Sequence, residues 1–194
     1  ALFCIRRCKE FLSDFALKTL YFSMFHCHLI YAILAWGSAY KTTLNPIIKK
    51  QKNAIRLVSR AKYNAHTEPL FKKLEIMRFE DLYTYNKLQF MHSYLYDKLP
   101  GSFDGLWPLN RFKNPATASL RIANDLFIPK HRLDYTARLP IHSLPKLWNE
   151  FDSNILKNNA NTKSFNEGLK AYFLNDLAAI VYCGRAFCRD CFPE

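Results

Sequence analysis

Lys49, Lys52, Arg56 and Arg60 are spaced so that an α-helix stacks them along one side. Lys50 and Lys62 add charge beside them. Ile47, Ile48, Gln51, Ile55 and Val58 share the opposite side, so one face packs and the other offers a ladder of cations. Such a ladder suits contacts to successive phosphates. The ordinary alternative is a solvated helix face, but solvated faces mix both signs. Here no acidic residue occurs between Asp14 and Glu68, although the chain has 16. The tail carries Cys183, Cys188 and Cys191. The last two have the Cys-x2-Cys spacing of a zinc corner, and a structural zinc site needs four ligands. The fourth is not local: His142, Cys4 and Cys8 are the candidates, and three unligated thiols are the competing reading. His26 and His28 flank Cys27, but neighbours on a helix point apart and do not converge on one metal ion. No Gly-rich phosphate loop is present. Glu80-Asp81 lacks the companion carboxylates that a two-metal site requires.

The elements that position these residues read as mainly α. Apolar residues are 49% of the 194, and Gly occurs only 5 times, which excludes disorder and favours a packed fold with few tight turns. The expected architecture is a helical bundle with an irregular Pro-rich middle segment and one short β-hairpin. Residues 9–99 form consecutive helices, 100–147 an irregular connection, 148–180 further helices and 181–194 a Cys-bearing tail. Pro46 after Asn45 marks a helix start, and Thr67 with Glu68 and Pro69 marks another. Over Glu80–Lys98, one strip of Tyr85, Leu88, Leu95 and Leu99 and a second of Tyr83, Phe90 and Tyr94 predict a helix covered on two sides. The middle holds Pro100, Pro108, Pro115, Pro129, Pro140 and Pro145; the hairpin is placed over Leu126–Ile128 and Thr136–Ile141. Ser164 with Glu167 resembles a capping box for a last helix through Leu169, Phe173 and Leu177.

Net charge is +12, which points to a polyanionic partner. The apolar stretch Leu17–Trp36 contains Lys18, Ser23, His26 and His28 and reads as a buried core helix rather than a membrane span. Uneven cysteine spacing and the lack of a signal peptide place the chain in a reducing, intracellular compartment. The start at Ala1 reads as that of a fragment or processed piece.

Several pieces resemble, in order, the region after the polymerase core in non-LTR (LINE-like, jockey-type) retrotransposon reverse transcriptases. They are Leu20-Tyr21-Phe22-Ser23, Tyr31, Trp36-Gly37, Gln51-Lys52-Asn53-Ala54-Ile55-Arg56, Ala61-Lys62-Tyr63 and His66-Thr67-Glu68-Pro69-Leu70-Phe71. Arg121, Asn124, Leu126-Phe127, Pro129, Pro145-Lys146-Leu147-Trp148-Asn149, Ile155, Ser164-Phe165 and Leu169-Lys170 continue the series. Cys27, Leu144 and Glu150-Phe151 depart from the pattern, where proline, glycine and Leu-Pro are usual. The family's Phe-Ala-Asp-Asp-type metal-binding motif does not occur here.

The resemblance implies a thumb and post-polymerase region that holds RNA and DNA, template and primer, in target-primed reverse transcription. Its partners would be those nucleic acids and the upstream polymerase core of the same polyprotein, with no membrane. Magnesium would belong to that core; this fragment would need no cofactor beyond a structural zinc in the tail. Cytoplasm and nucleus are the expected compartments. The competing class is a basic helical protein–protein interaction module.

Overall fold

A computed structural model describes residues 1–113, 120–151 and 153–182. The protein is mainly α, with no strand among the described residues. The helices are α1 (Leu2–Cys8), α2 (Asp14–Tyr21), α3 (Cys27–Ile30), α4 (Ile33–Trp36), α5 (Lys41–Val58), α6 (Glu68–Leu74) and α7 (Phe79–Leu95). They continue as α8 (Asn110–Lys113), α9 (Asp134–Arg138), α10 (Pro140–Glu150), α11 (Asn154–Lys157) and α12 (Thr162–Tyr182). The described chain divides into two compact units, one of residues 1–33, 40–82 and 170–182, the other built from 34–39 and the described residues of 83–169.

In the first unit, Ile5, Leu17, Tyr21, Ala54, Ile55, Val58, Phe71 and Ile76 form a closed apolar core. A π-helical turn over Phe22–His26 joins α2 to α3. Leu17, Tyr21, Phe25 and Leu29 recur every fourth residue, which outruns the 3.6-residue α repeat. The wider turn takes up the surplus and keeps Tyr21 stacked on Phe25, with ring centroids 5.5 Å apart. The stretch Leu17–Trp36 is therefore not one long helix, and only one side of it is buried. No helix among the described residues is long and apolar enough to cross a membrane.

Helix α5 starts at Lys41, so Pro46 lies inside it rather than opening it. Its far end closes in a Schellman arrangement: Arg60 N–H donates to Leu57 O and Ala61 N–H to Arg56 O, with Arg60 at φ 52°. The same closure ends α6 at Glu75 and α7 at Asp97, with φ of 53° and 52°. Glycine usually takes this left-handed position, and here charged residues do.

In the second unit, α7 is covered on more than one side, with Leu88, Met91 and His92 fully buried. The expected hairpin is absent: Asp134–Arg138 and Pro140–Glu150 are helical, and one isolated antiparallel bridge joins Leu109 to Leu126. Pro140 and Pro145 sit where a helix accommodates them. Pro140 occupies the first turn of α10. Pro145 removes the N–H that would meet Ile141 O, and Trp107 Nε1–H donates to that carbonyl instead at 3.0 Å. Helix α12 is capped by Asn161, whose Oδ1 accepts from Lys163 N–H at 3.0 Å. Ser164 is no cap; its Oγ accepts from Asn159 Nδ2. Gly168 faces Leu156 so closely that a Cβ there would meet its Cδ2 at 2.5 Å.

Candidate nucleic-acid interface

Helix α5 buries Leu44, Gln51, Ala54, Ile55 and Val58. Gln51 is the polar member of that face, and its Nε2 donates to Tyr21 Oη at 3.2 Å and to Met77 O at 3.0 Å. Burial pushes the Tyr21 phenol up to about 12, against the opposing effect of the Gln51 hydrogen bond. Core packing therefore fixes the rotation of α5 and decides which cations face water. Ile47 and Ile48 are half-buried at the edge of the packed face.

The six basic candidates have different surroundings. Lys49 and Lys50 are exposed on α5, and Lys62 is exposed just beyond it. Lys52 is half-buried beside a cleft of about 280 Å³ that Glu68, Arg78 and Glu80 also line. Arg56 is turned inward: its Nε donates to Ala65 O at 2.9 Å and its Nη1 to Asn53 Oδ1 at 3.0 Å. Arg60 lies past the last helical residue, so the helical spacing that placed it in the ladder no longer applies. Its Nε meets Asp14 Oδ1 at 2.9 Å and its Nη2 donates to Leu12 O. Two of the four ladder cations thus hold the chain to itself. The acid-free interval in sequence is answered in space by Asp14 from its very edge.

The other residues singled out by type are occupied locally. Asp81 makes a two-pronged pair with Arg78, at 2.7 and 3.2 Å. Burial opposes the Arg78 charge, but the hydrogen bond and charge of Asp81 more than offset it and raise its pKa. Cys27 Sγ donates to Ser23 O at 2.8 Å, while His26 packs edge-on against Phe22 and is held below the usual histidine pKa by burial. Cys4 and Cys8 are free thiols on α1. Cys183, Cys188 and Cys191 lie outside the described residues, and among those described no group of three or more ligand-type side chains converges on a metal position.

Sequence reasoning gave no role to Lys130, His131 and Arg132. Together with His142 they line a cleft in the second unit, and the run of three basic-type residues was the only available signal. Comparison of the chain with protein-family models, curated proteins and solved structures returned no match.

Proposed function

We propose that this chain is a nucleic-acid-binding C-terminal part of a non-LTR retrotransposon reverse transcriptase. In this reading it holds template and primer in target-primed reverse transcription, in cytoplasm and nucleus, while an upstream polymerase core supplies the metal-dependent chemistry. The observation that carries the reading is the free cation set of Lys49 and Lys50, with Lys52 at its edge, on a helix whose rotation the core fixes, and of Lys62 just beyond that helix. The ordered resemblance supports the family, and the net charge of +12 supports the polyanion.

A second reading, a basic protein-interaction module, is favoured by Phe3, Phe11 and Phe15, which are 69%, 86% and 82% exposed.

Salt-titrated fluorescence anisotropy with labelled single-stranded RNA and an RNA–DNA duplex separates the two. Binding to phosphates falls steeply with salt, and Lys49→Ala, Lys50→Ala and Lys62→Ala each lower the logarithmic salt slope by about 0.7–0.9. Arg56→Ala lowers stability and leaves the slope unchanged, because its guanidinium is already spent on Ala65 and Asn53. A folded Lys49→Glu/Lys50→Glu protein that binds nucleic acid with an unaltered slope overturns the proposal.

A further inference from the structure

An open cleft of about 390 Å³ beside α9 and α10 is lined by Lys130, His131, Arg132, Leu133, Thr136 and His142. That volume lies in the ordinary range of small-ligand sites. Its lining holds four nitrogen-rich side chains and no carboxylate. Lys130 and Arg132 are exposed, and among the described residues neither pairs with an acid. The nearby Asp134 is engaged by Arg138 Nη2 at 3.1 Å.

The two imidazoles are held in place rather than loose. His142 Nδ1 lies 3.1 Å from Pro129 O, and a carbonyl only accepts, so Nδ1 carries a proton, and Nε2 donates to a phosphate oxygen only when the ring is doubly protonated. His131 packs edge-on against it, with centroids 5.1 Å apart. The Thr136 hydroxyl donates to Leu133 O at 2.6 Å, which fixes the turn carrying Arg132 into α9. Two unpaired cations on a braced turn, facing two oriented imidazoles, leave a concentrated positive charge with nothing in the described chain to neutralise it.

We infer that this cleft is a binding site for a phosphate ester, with Lys130 and Arg132 supplying the charge and His131 and His142 orienting the group. Arg132 presents a planar fork that matches two phosphate oxygens, and Lys130 acts as a point charge. The site uses none of the α5 cations, so it stands or falls apart from the reading of that helix. The phosphate can come from a nucleic-acid backbone or from a free nucleotide, and the two sources are separable.

The test uses the full chain and histidine side-chain NMR, titrated with inorganic phosphate, uridine monophosphate and a uridine decanucleotide. Perturbation of His131 and His142 by the decanucleotide alone assigns the site to a nucleic-acid backbone. Perturbation by the monophosphate as well assigns it to free nucleotides too. The exposed double variant Lys130→Ala/Arg132→Ala weakens that binding by at least about tenfold, the loss of one charge-assisted hydrogen bond or more, without lowering Tm. His142→Asn keeps a donor toward Pro129 O and so tests the ring without freeing the loop. The inference is overturned if no phosphate probe perturbs either histidine. It is equally overturned if the double variant binds as the parent does, or if an oligo-glutamate peptide competes as well as the decanucleotide. Lys49→Glu/Lys50→Glu leaves these shifts intact, so failure of the α5 reading is distinguishable.

Discussion

Asn149→Ala removes a side chain that acts as a piece of backbone. Leu126 N–H donates to Asn149 Oδ1 at 3.0 Å, and Asn149 Nδ2 donates back to Leu126 O at 2.9 Å. Leu126 is 2% exposed, so water cannot replace either partner. Each buried group left unpaired costs about 1–3 kcal/mol, and two of them place the loss at roughly 2–6 kcal/mol. At a urea m-value of about 2 kcal/mol/M, the unfolding midpoint falls by about 1–3 M. Tryptophan fluorescence reports this cleanly, because all three tryptophans, Trp36, Trp107 and Trp148, belong to the second unit. Asn149→Asp is the discriminating control. Its carboxylate still accepts from Leu126 N–H but sets a negative charge against Leu126 O, so it recovers only part of the loss. A midpoint for Asn149→Ala within about 0.5 kcal/mol of the parent would show that the paired bonds do not hold this loop, since a change that small is typical of an unconstrained surface position.

Two further outcomes follow from buried titratable groups. His92 is fully buried against Phe165, with centroids 4.0 Å apart, and desolvation lowers its pKa against the opposing hydrogen bond to Asn159 O. The unfolded chain therefore takes up this proton first, and stability falls as pH drops below about 6.5; urea midpoints at pH 7.5 and 5.5 should differ more for the parent than for His92→Gln, and equal differences refute the assignment. Burial also pushes Lys87 down to about 8, with Nζ 4.3 Å over the Tyr83 ring. Its buried charge costs most at and below that pH, so Lys87→Met raises Tm at pH 7 and the gain shrinks as pH rises from about 8 toward 10.5, whereas a pH-independent gain points to packing alone.

The helical class was legible because apolar spacing survives any arrangement of the helices. Gln51 and Ile55 on one side of α5, and the doubly apolar α7, are set by local periodicity, and the structure buries them accordingly. What failed was decided by partners distant in sequence. Pro145 reads as a helix breaker until Trp107 supplies the donor that Ile141 O lacks. Scarce glycine reads as few tight closures, yet Arg60, Glu75 and Asp97 adopt the left-handed position, each at a cost of about 1–2 kcal/mol that packing of the helix ends must offset. The surroundings of the cation ladder were not legible: Lys49 is exposed and Lys52 half-buried, and nothing in the sequence says that Arg56 reaches back to Ala65 or that Asp14 captures Arg60.

The residues that carry the resemblance and those that carry the proposed function overlap at Lys52 and Lys62 and otherwise differ. Tyr21, Gln51, Ile55 and Phe71 meet in the first core, joined by the Gln51–Tyr21 hydrogen bond. In the second unit Leu126 is clasped by Asn149, while Trp148 and the buried Phe165 lie 6.2 Å apart, ring to ring. Several of these pieces thus fall on a unit's interior, where one methylene more or less is felt and alternatives are few, although Tyr31 and Tyr63 are exposed. A pattern held at such positions speaks for architecture. Lys49 and Lys50, by contrast, are exposed, and packing asks nothing of them beyond a helix that tolerates lysine. Their presence without acidic neighbours along the sequence needs an electrostatic reason, because a solvated face is served equally well by mixed charges. The fold and the proposed function therefore rest on different physics, and the salt slope probes the second without disturbing the first.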